Sequence, residues 1–418
     1  MSAAAAEKRA PFPRVFAIAI AIEFLERLAF YGVYINLAVY LGTAVGMTDL
    51  EVGAAIGWFG GVRALLPVLV GSIADRIGFK TSLVTAFAMY TFAYASLWAA
   101  PTRVLAWTAL LGMSIGGAFM KPVISGCVKR YSPEGRQTEG FAIFYQSVNA
   151  GSVVGKTATK QIRTGVSLPA TFVLAITASV VALFVAIFLF FEPKREDEEV
   201  AAPAERETFG ALVTSTARSY VTALKEPKLA VFLGVVSGYY LLIEQFYQTF
   251  PIYMDRAFPG APREYVTLIN PASIALFQLV VARLTRRVPV LVAMPIGVAT
   301  GALSMALMGA VPNLWGACGS FFVFALAEMI FSPRYYDYVG SFAPKGKEGL
   351  YMGLALLPFG IGSLAGGFLS GALVARFLPK GGPLQPFPVW GTYAAIGVVC
   401  AAMLVGYRAW AGRVPVPT

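Results

Sequence analysis

The chain has 418 residues, of which 57% are hydrophobic and only 13% charged, with a net charge of +11 and no histidine. A soluble protein of this size needs about a quarter of its residues charged to cover its surface, so a soluble enzyme, a secreted disulfide scaffold and a disordered chain are all excluded. The composition implies a multi-pass membrane protein set in a lipid bilayer, and the basic excess has to be explained by where it falls.

Apolar runs of the length that crosses a bilayer, about 20 residues, occur at 14–41, 52–74, 81–100, 104–127, 139–160, 168–191, 229–253, 265–285, 288–310, 314–338, 350–377 and 389–411. All are expected to be helical, because lipid leaves an open segment no other way to satisfy its backbone. The first run is too long, and too charged in its middle, for a cleavable signal peptide. After the sixth run comes the polar stretch 193–228, opening PKREDEEVAAPAERE, which reads as a cytoplasmic linker with a short surface helix near Thr208 to Leu224. The expectation is an all-α integral membrane protein with twelve transmembrane helices in two bundles. Residues 1–192 would form the N-terminal six-helix bundle, 193–228 the linker and 229–418 the C-terminal six-helix bundle. Large secondary transporters are built this way, with the substrate site between the halves near the midplane.

With the N-terminus cytoplasmic, Lys8, Arg9, Arg14, Arg76, Lys80, Lys129, Arg130, Arg136, Arg283, Arg286, Arg287, Lys345, Lys347, Arg408 and Arg413 fall on the inner side. The outer side carries Arg103, Lys160, Arg163, Arg256, Arg263, Arg376 and Lys380, partly offset by Asp49, Glu51, Asp255 and Glu264. This asymmetry follows the positive-inside rule. The basic excess therefore reports topology, with both termini cytoplasmic, and no nucleic-acid partner is expected. Cys127, Cys318 and Cys400 offer neither a disulfide framework nor a metal site. The segment GSVVGKT, Gly151 to Thr157, has one residue too few between its glycines for a phosphate loop and sits in an apolar helix. With no other ATP motif, energy is expected from an ion gradient, without enzymatic activity or cofactor.

Ionisable groups inside apolar helices are costly unless they face a cavity or a partner. The first run holds Glu23, Glu26 and Arg27, followed on the same helix face by Phe30, Tyr31 and Tyr34. Later runs hold Arg63, Lys121, Lys156, Glu244 and Glu328, with Arg334 and Asp337 nearer the cytoplasm. Buried structural ion pairs are one explanation. Their excess in both halves favours convergence on one central cavity. Without histidine, carboxylates would have to carry any coupled protons.

Several of these segments resemble known families. GSIADRIGFK, between the second and third runs, is similar to the loop signature of the major facilitator superfamily, which implies a conformational latch at Gly71, Asp75, Arg76 and Gly78. EFLERLAFYG resembles the ExxER helix of the proton-coupled oligopeptide transporters. GGAFMKPVISG, FAIFYQSVNAGSVVG, YYLLIEQ, INP, AEMIFSP and APKGKEGLYMG resemble that family's later helices in register. The resemblance implies a major facilitator fold and a monomeric proton-coupled symporter, in a cell membrane such as the bacterial inner membrane. Its solutes would be di- or tripeptides or similar zwitterions, moved by alternating access.

Carried over by residue, it assigns proton coupling to Glu23, Glu26, Arg27 and Lys121. Arg27 and Lys121 would face a peptide carboxylate, Glu328 its amino group, and Asn149 and Asn270 its backbone. Tyr31, Tyr34, Arg63, Tyr145, Tyr240, Glu244 and Gln248 complete the expected substrate-binding set. The chain departs from the family at Tyr34, which replaces a second arginine, at Ala64, which replaces a tyrosine, and at Tyr240 and Ala355, which replace pocket tryptophans. Arg63, beside Ala64, would restore the missing cation, and the altered pocket leaves the solute open. The alternatives are a proton-linked importer or exporter of another solute, such as a peptide-like metabolite, siderophore or drug, and a non-transporting receptor or scaffold. Retention of costly membrane charges argues against the last.

Overall fold

The computed structural model describes residues 11–134, 136–191, 209–344 and 347–412. Among the described residues the regular structure is entirely helical: α1 (Arg14–Thr43), α2 (Asp49–Ile77), α3 (Phe79–Ala99), α4 (Arg103–Tyr131), α5 (Gln137–Gly165), α6 (Thr171–Phe188), α7 (Phe209–Ala223), α8 (Pro227–Gln248), α9 (Phe250–Ala257), α10 (Arg263–Val266), α11 (Ile269–Thr285), α12 (Val290–Ala310), α13 (Leu314–Gly340), α14 (Glu348–Leu354), α15 (Leu357–Phe377) and α16 (Pro386–Ala411). Every apolar run read from the sequence is occupied by helix, and α7 falls where the linker helix was expected. Residues 193–208 of the linker, Lys8, Arg9, Lys345 and Arg413 lie outside the described residues.

Nine helical spans among the described residues are apolar enough to cross a membrane on hydropathy. α1 and α5 fall short because of their charged and amide residues, although at 30 and 29 residues they reach about 44 Å, more than the hydrocarbon core requires. Trp98, Trp107 and Trp315 stand exposed near the helix ends on the side of the α1–α2 loop, as an aromatic belt does at a membrane boundary.

Three predicted runs are not continuous. Run 229–253 breaks between α8 and α9 at Thr249, run 265–285 between α10 and α11 at Thr267 and Leu268, and run 350–377 between α14 and α15 at Ala355 and Leu356. A proline follows each break within a few residues: Pro251, Pro271 and Pro358. Proline lacks an N–H and its ring crowds the carbonyl four residues earlier, so the ladder fails one turn ahead of it. Pro67, Pro122, Pro295 and Pro333, by contrast, lie inside unbroken helices.

α1 to α6 pack on one another, as do α8 to α16, and the broadest meeting of the two sets is α2 against α15. Glycines make that approach possible. A Cβ on Gly57 would come within 2.9 Å of the Gly367 Cα, and one on Gly371 within 2.8 Å of the Asp49 carbonyl oxygen. Such small-residue spacing lets membrane helices touch backbone to backbone.

Polar contacts seal the face that carries the α1–α2 loop. Arg163 of α5 pairs with Glu264 of α10 at 2.6 Å, and Asn36 of α1 donates to Glu264 at 3.2 Å while accepting from Arg263 at 2.8 Å. Asp49 at the start of α2 pairs with Arg256 of α9 through both guanidinium nitrogens. Glu264 and Arg263 are buried, so these are desolvated links between the two helix sets.

Candidate functional site

The polar face of α1 begins with a three-residue cluster. The Arg27 Nε donates to Glu23 Oε1 at 2.7 Å and lies 2.9 Å from Glu26 Oε2, so one guanidinium serves two carboxylates one turn apart. Tyr90 of α3, fully enclosed, donates to Glu26 Oε1 at 2.8 Å. All three α1 residues are buried. The neighbouring α5 comes close because it presents glycine: a Cβ on Gly151 would sit 2.6 Å from the Phe24 carbonyl oxygen.

The same face then opens into a cavity of about 400 Å³ between the two helix sets. One wall is built by Phe30, Tyr31 and Tyr34 of α1, Arg63 of α2, Lys121 of α4, and Asn149, Ser152 and Lys156 of α5. The opposite wall is built by Tyr240, Glu244 and Tyr247 of α8, Asn270 of α11, Glu328 and Tyr336 of α13, and Phe359 of α15. Two of the three helix breaks border this space, with Thr267, Pro271, Ala355 and Leu356 in the lining. Asn149 and Tyr336 are exposed, so the cavity opens toward the α7 face.

Charge divides along the same line as the walls. Among the described residues, all three lining cations, Arg63, Lys121 and Lys156, stand on the α1–α5 side, and both lining carboxylates, Glu244 and Glu328, on the other. Glu328 accepts a hydrogen bond from Asn270 at 2.5 Å. Glu244 accepts from Tyr34 at 3.1 Å and from Ser363 at 3.0 Å. The Arg63 guanidinium is packed among the rings of Phe30, Tyr34, Phe59 and Phe359, 5.1 to 5.9 Å from each centroid. A cation over such rings is attracted to their negative faces.

Most residues singled out from the sequence converge here, with specific exceptions. Arg27 is held by its two glutamates and is absent from the lining, so the cations facing the space are the other three. Lys121 faces the cavity but forms no ion pair with Glu23 or Glu26 in this conformation. Gln248 is buried outside the lining, its amide donating to the Ser363 carbonyl at 3.0 Å, a contact that joins α8 to α15. Tyr145 is 63% exposed and is also outside the lining. Gly78 ends α2 with φ 83°, a conformation suited to glycine. The surroundings of Gly71 and the side chains of Asp75 and Arg76 lie outside the described residues. Tyr90, Ser152, Tyr247 and Tyr336 had no signal in the sequence beyond being polar residues in apolar runs.

Comparison with known proteins agrees with this architecture. The sequence matches the description Major Facilitator Superfamily over residues 19–262. It is 24% identical over 382 residues to the multidrug resistance protein MdtH of Klebsiella pneumoniae subsp. pneumoniae, covering 90% of each chain. Among solved structures, a POT family transporter in complex with 5-aminolevulinic acid superposes with a TM-score of 0.74 at 18% identity, covering 95% of this chain and 96% of that one. The nucleoside transporter NupG superposes with a TM-score of 0.79 at 17% identity, covering 94% and 99%. These structural likenesses concern the fold alone. The matched segment spans more than half of the sequence, and the chain belongs to the major facilitator superfamily of membrane transporters.

Proposed function

We propose that the protein is a monomeric, proton-coupled symporter of small zwitterionic solutes, di- and tripeptides among them, working by alternating access between the α1–α6 and α8–α16 bundles. The observation that carries this reading is the polarised cavity, with cations on one wall and carboxylates on the other. A solute with a carboxylate at one end and an ammonium at the other would bridge Lys121 and Arg63 to Glu328 and draw the halves together. Glu26 is the proposed proton carrier. It shares Arg27 with Glu23, so neutralising it leaves the cation paired, and it adjoins the cavity through the continuous face of α1. The α7 face is taken as cytoplasmic on the distribution of basic residues, which makes this conformation inward-open with the outer side sealed.

Export of amphipathic drugs is a second reading. It is favoured by the ten aromatic residues in the lining and by the name of the MdtH relatives. Uptake into proteoliposomes separates the two. With the exterior acid, labelled dialanine is expected to accumulate above its external concentration, and collapse of the gradient should release it. Flux of no peptide at any gradient, together with proton-driven movement of an aromatic drug, would replace the first reading by the second.

A further inference from the structure

Lys156 is 2% exposed, yet its side chain lines the cavity. Its ammonium lies 5.4 Å from the Tyr31 ring and 5.9 Å from the Tyr247 ring, and among the described residues it makes no hydrogen bond or ion pair. Arg63 is in a similar position: its Nε is buried without a hydrogen-bond partner. The two cations flank the stacked rings of Tyr34 and Tyr247, whose centroids are 4.6 Å apart, Arg63 over the first ring and Lys156 over the second. A buried ammonium with only ring faces for company is poorly compensated, because cation–π attraction is weaker than the lost hydration. An anion arriving from outside would complete it.

The charge balance points the same way. Among the described residues, four cations, Arg27, Arg63, Lys121 and Lys156, face four carboxylates, Glu23, Glu26, Glu244 and Glu328, across the α1 cluster and the cavity. Adding one proton to the carboxylates leaves one positive charge, which a neutral zwitterion cannot cancel and a solute of net charge −1 can. We propose that Lys156 is a second anion subsite of the cavity. It receives an acidic group of the solute other than the one held at Lys121, and the preferred solutes carry two acidic groups and one amine. This rests on reading the cavity as the solute site, but the subsite itself does not depend on peptides being the solute.

The test uses the full chain in detergent with methylphosphonate and succinate as probes, and chloride at equal ionic strength as control. Both probes are expected to raise the melting temperature of the wild type and of Lys156→Arg, and to leave that of Lys156→Gln unchanged. In proteoliposomes, wild type should take up Ala-Glu with a KM about tenfold below that for Ala-Ala, the usual scale of one buried charge contact. Lys156→Gln should abolish that preference, bringing the KM values for Ala-Glu and Ala-Ala together. Probe stabilisation of Lys156→Gln equal to wild type overturns the proposal. So does a wild type that neither probe stabilises and that does not prefer Ala-Glu, a result that decides the matter even if Lys156→Gln fails to fold. Lys156-dependent stabilisation without flux of any peptide would sink the peptide reading and leave the subsite standing.

Discussion

The Tyr34 hydroxyl donates to the Glu244 carboxylate at 3.1 Å, although the two residues are 210 positions apart in the chain. Tyr34 also stacks on Tyr247 at 4.6 Å, so one side chain of α1 clasps α8 at the closed end of the cavity. Removing the hydroxyl in Tyr34→Phe leaves Ser363 as the remaining hydrogen-bond donor to Glu244 among the described residues and should weaken the clasp by about 1–2 kcal/mol. The expected result is about a tenfold rise in labelling of a cysteine at Val39, beside the sealed face, by an impermeant maleimide. Unchanged labelling would mean that the bond does not hold the outer side closed.

The Arg163–Glu264 pair should matter more, because Glu264 is wholly buried and is also bonded to Asn36. Arg163→Ala strands that carboxylate, a loss of about 3–5 kcal/mol for a buried pair, and should shift the protein toward the outward-open form. Labelling at Val39 is again the measurement. Adding Glu264→Gln should bring it part of the way back, since no charge is then stranded. Simple additivity of the two would show that the residues act independently.

For coupling, Glu26→Gln is expected to abolish accumulation driven by the proton gradient while leaving exchange of internal for external solute. The amide keeps the shape and the bond from Tyr90 but cannot bind and release a proton. Loss of exchange to the same degree would argue that Glu26 is only structural.

Glu328 is the carboxylate best placed to receive a solute amine, being bonded among the described residues only to the neutral Asn270. Glu328→Gln should raise the KM for dialanine about tenfold or more, the scale of a charged hydrogen bond. N-acetylated dialanine, a poor substrate throughout, should be unaffected by the change. Equal effects on both solutes would remove Glu328 from amine recognition.

Helix approach gives a test of stability alone. Gly57→Leu would force a side chain against the Gly367 Cα, 2.9 Å from the new Cβ. Overpacking at such a contact costs about 1–3 kcal/mol or more and should lower the melting temperature without altering the solute preference of whatever protein remains folded.

The membrane class, the helical runs, the linker helix and the polar face of α1 were all legible in the sequence. They depend on local quantities: apolar length, helical spacing and the distribution of basic residues. The Glu23–Arg27 contact belongs with them, since residues four apart on a helix are neighbours in any fold. The helix breaks were half legible. Nine prolines sit in apolar runs; Pro169 and Pro289 stand just ahead of a helix, and only three of the other seven border a break. Nothing in the local sequence separates Pro251, Pro271 and Pro358 from Pro67, Pro122, Pro295 and Pro333.

Tertiary structure alone decided which buried polar groups find each other. Tyr90 meets Glu26, Tyr34 meets Glu244 and Asn36 meets Glu264 through the docking of whole helices, which brings distant parts of the chain together. The same packing turned Gln248 away from the cavity and left Tyr145 outside it. Arg27 was already committed to its own helix. Lys156 looked in the sequence like one more costly charge, and only the arrangement of α1, α5 and α8 around it shows a buried ammonium with rings beside it and, among the described residues, no ion-pair partner. Periodicity fixes which face of a helix is polar, whereas the partner of each polar group depends on how whole helices dock, which no local pattern encodes.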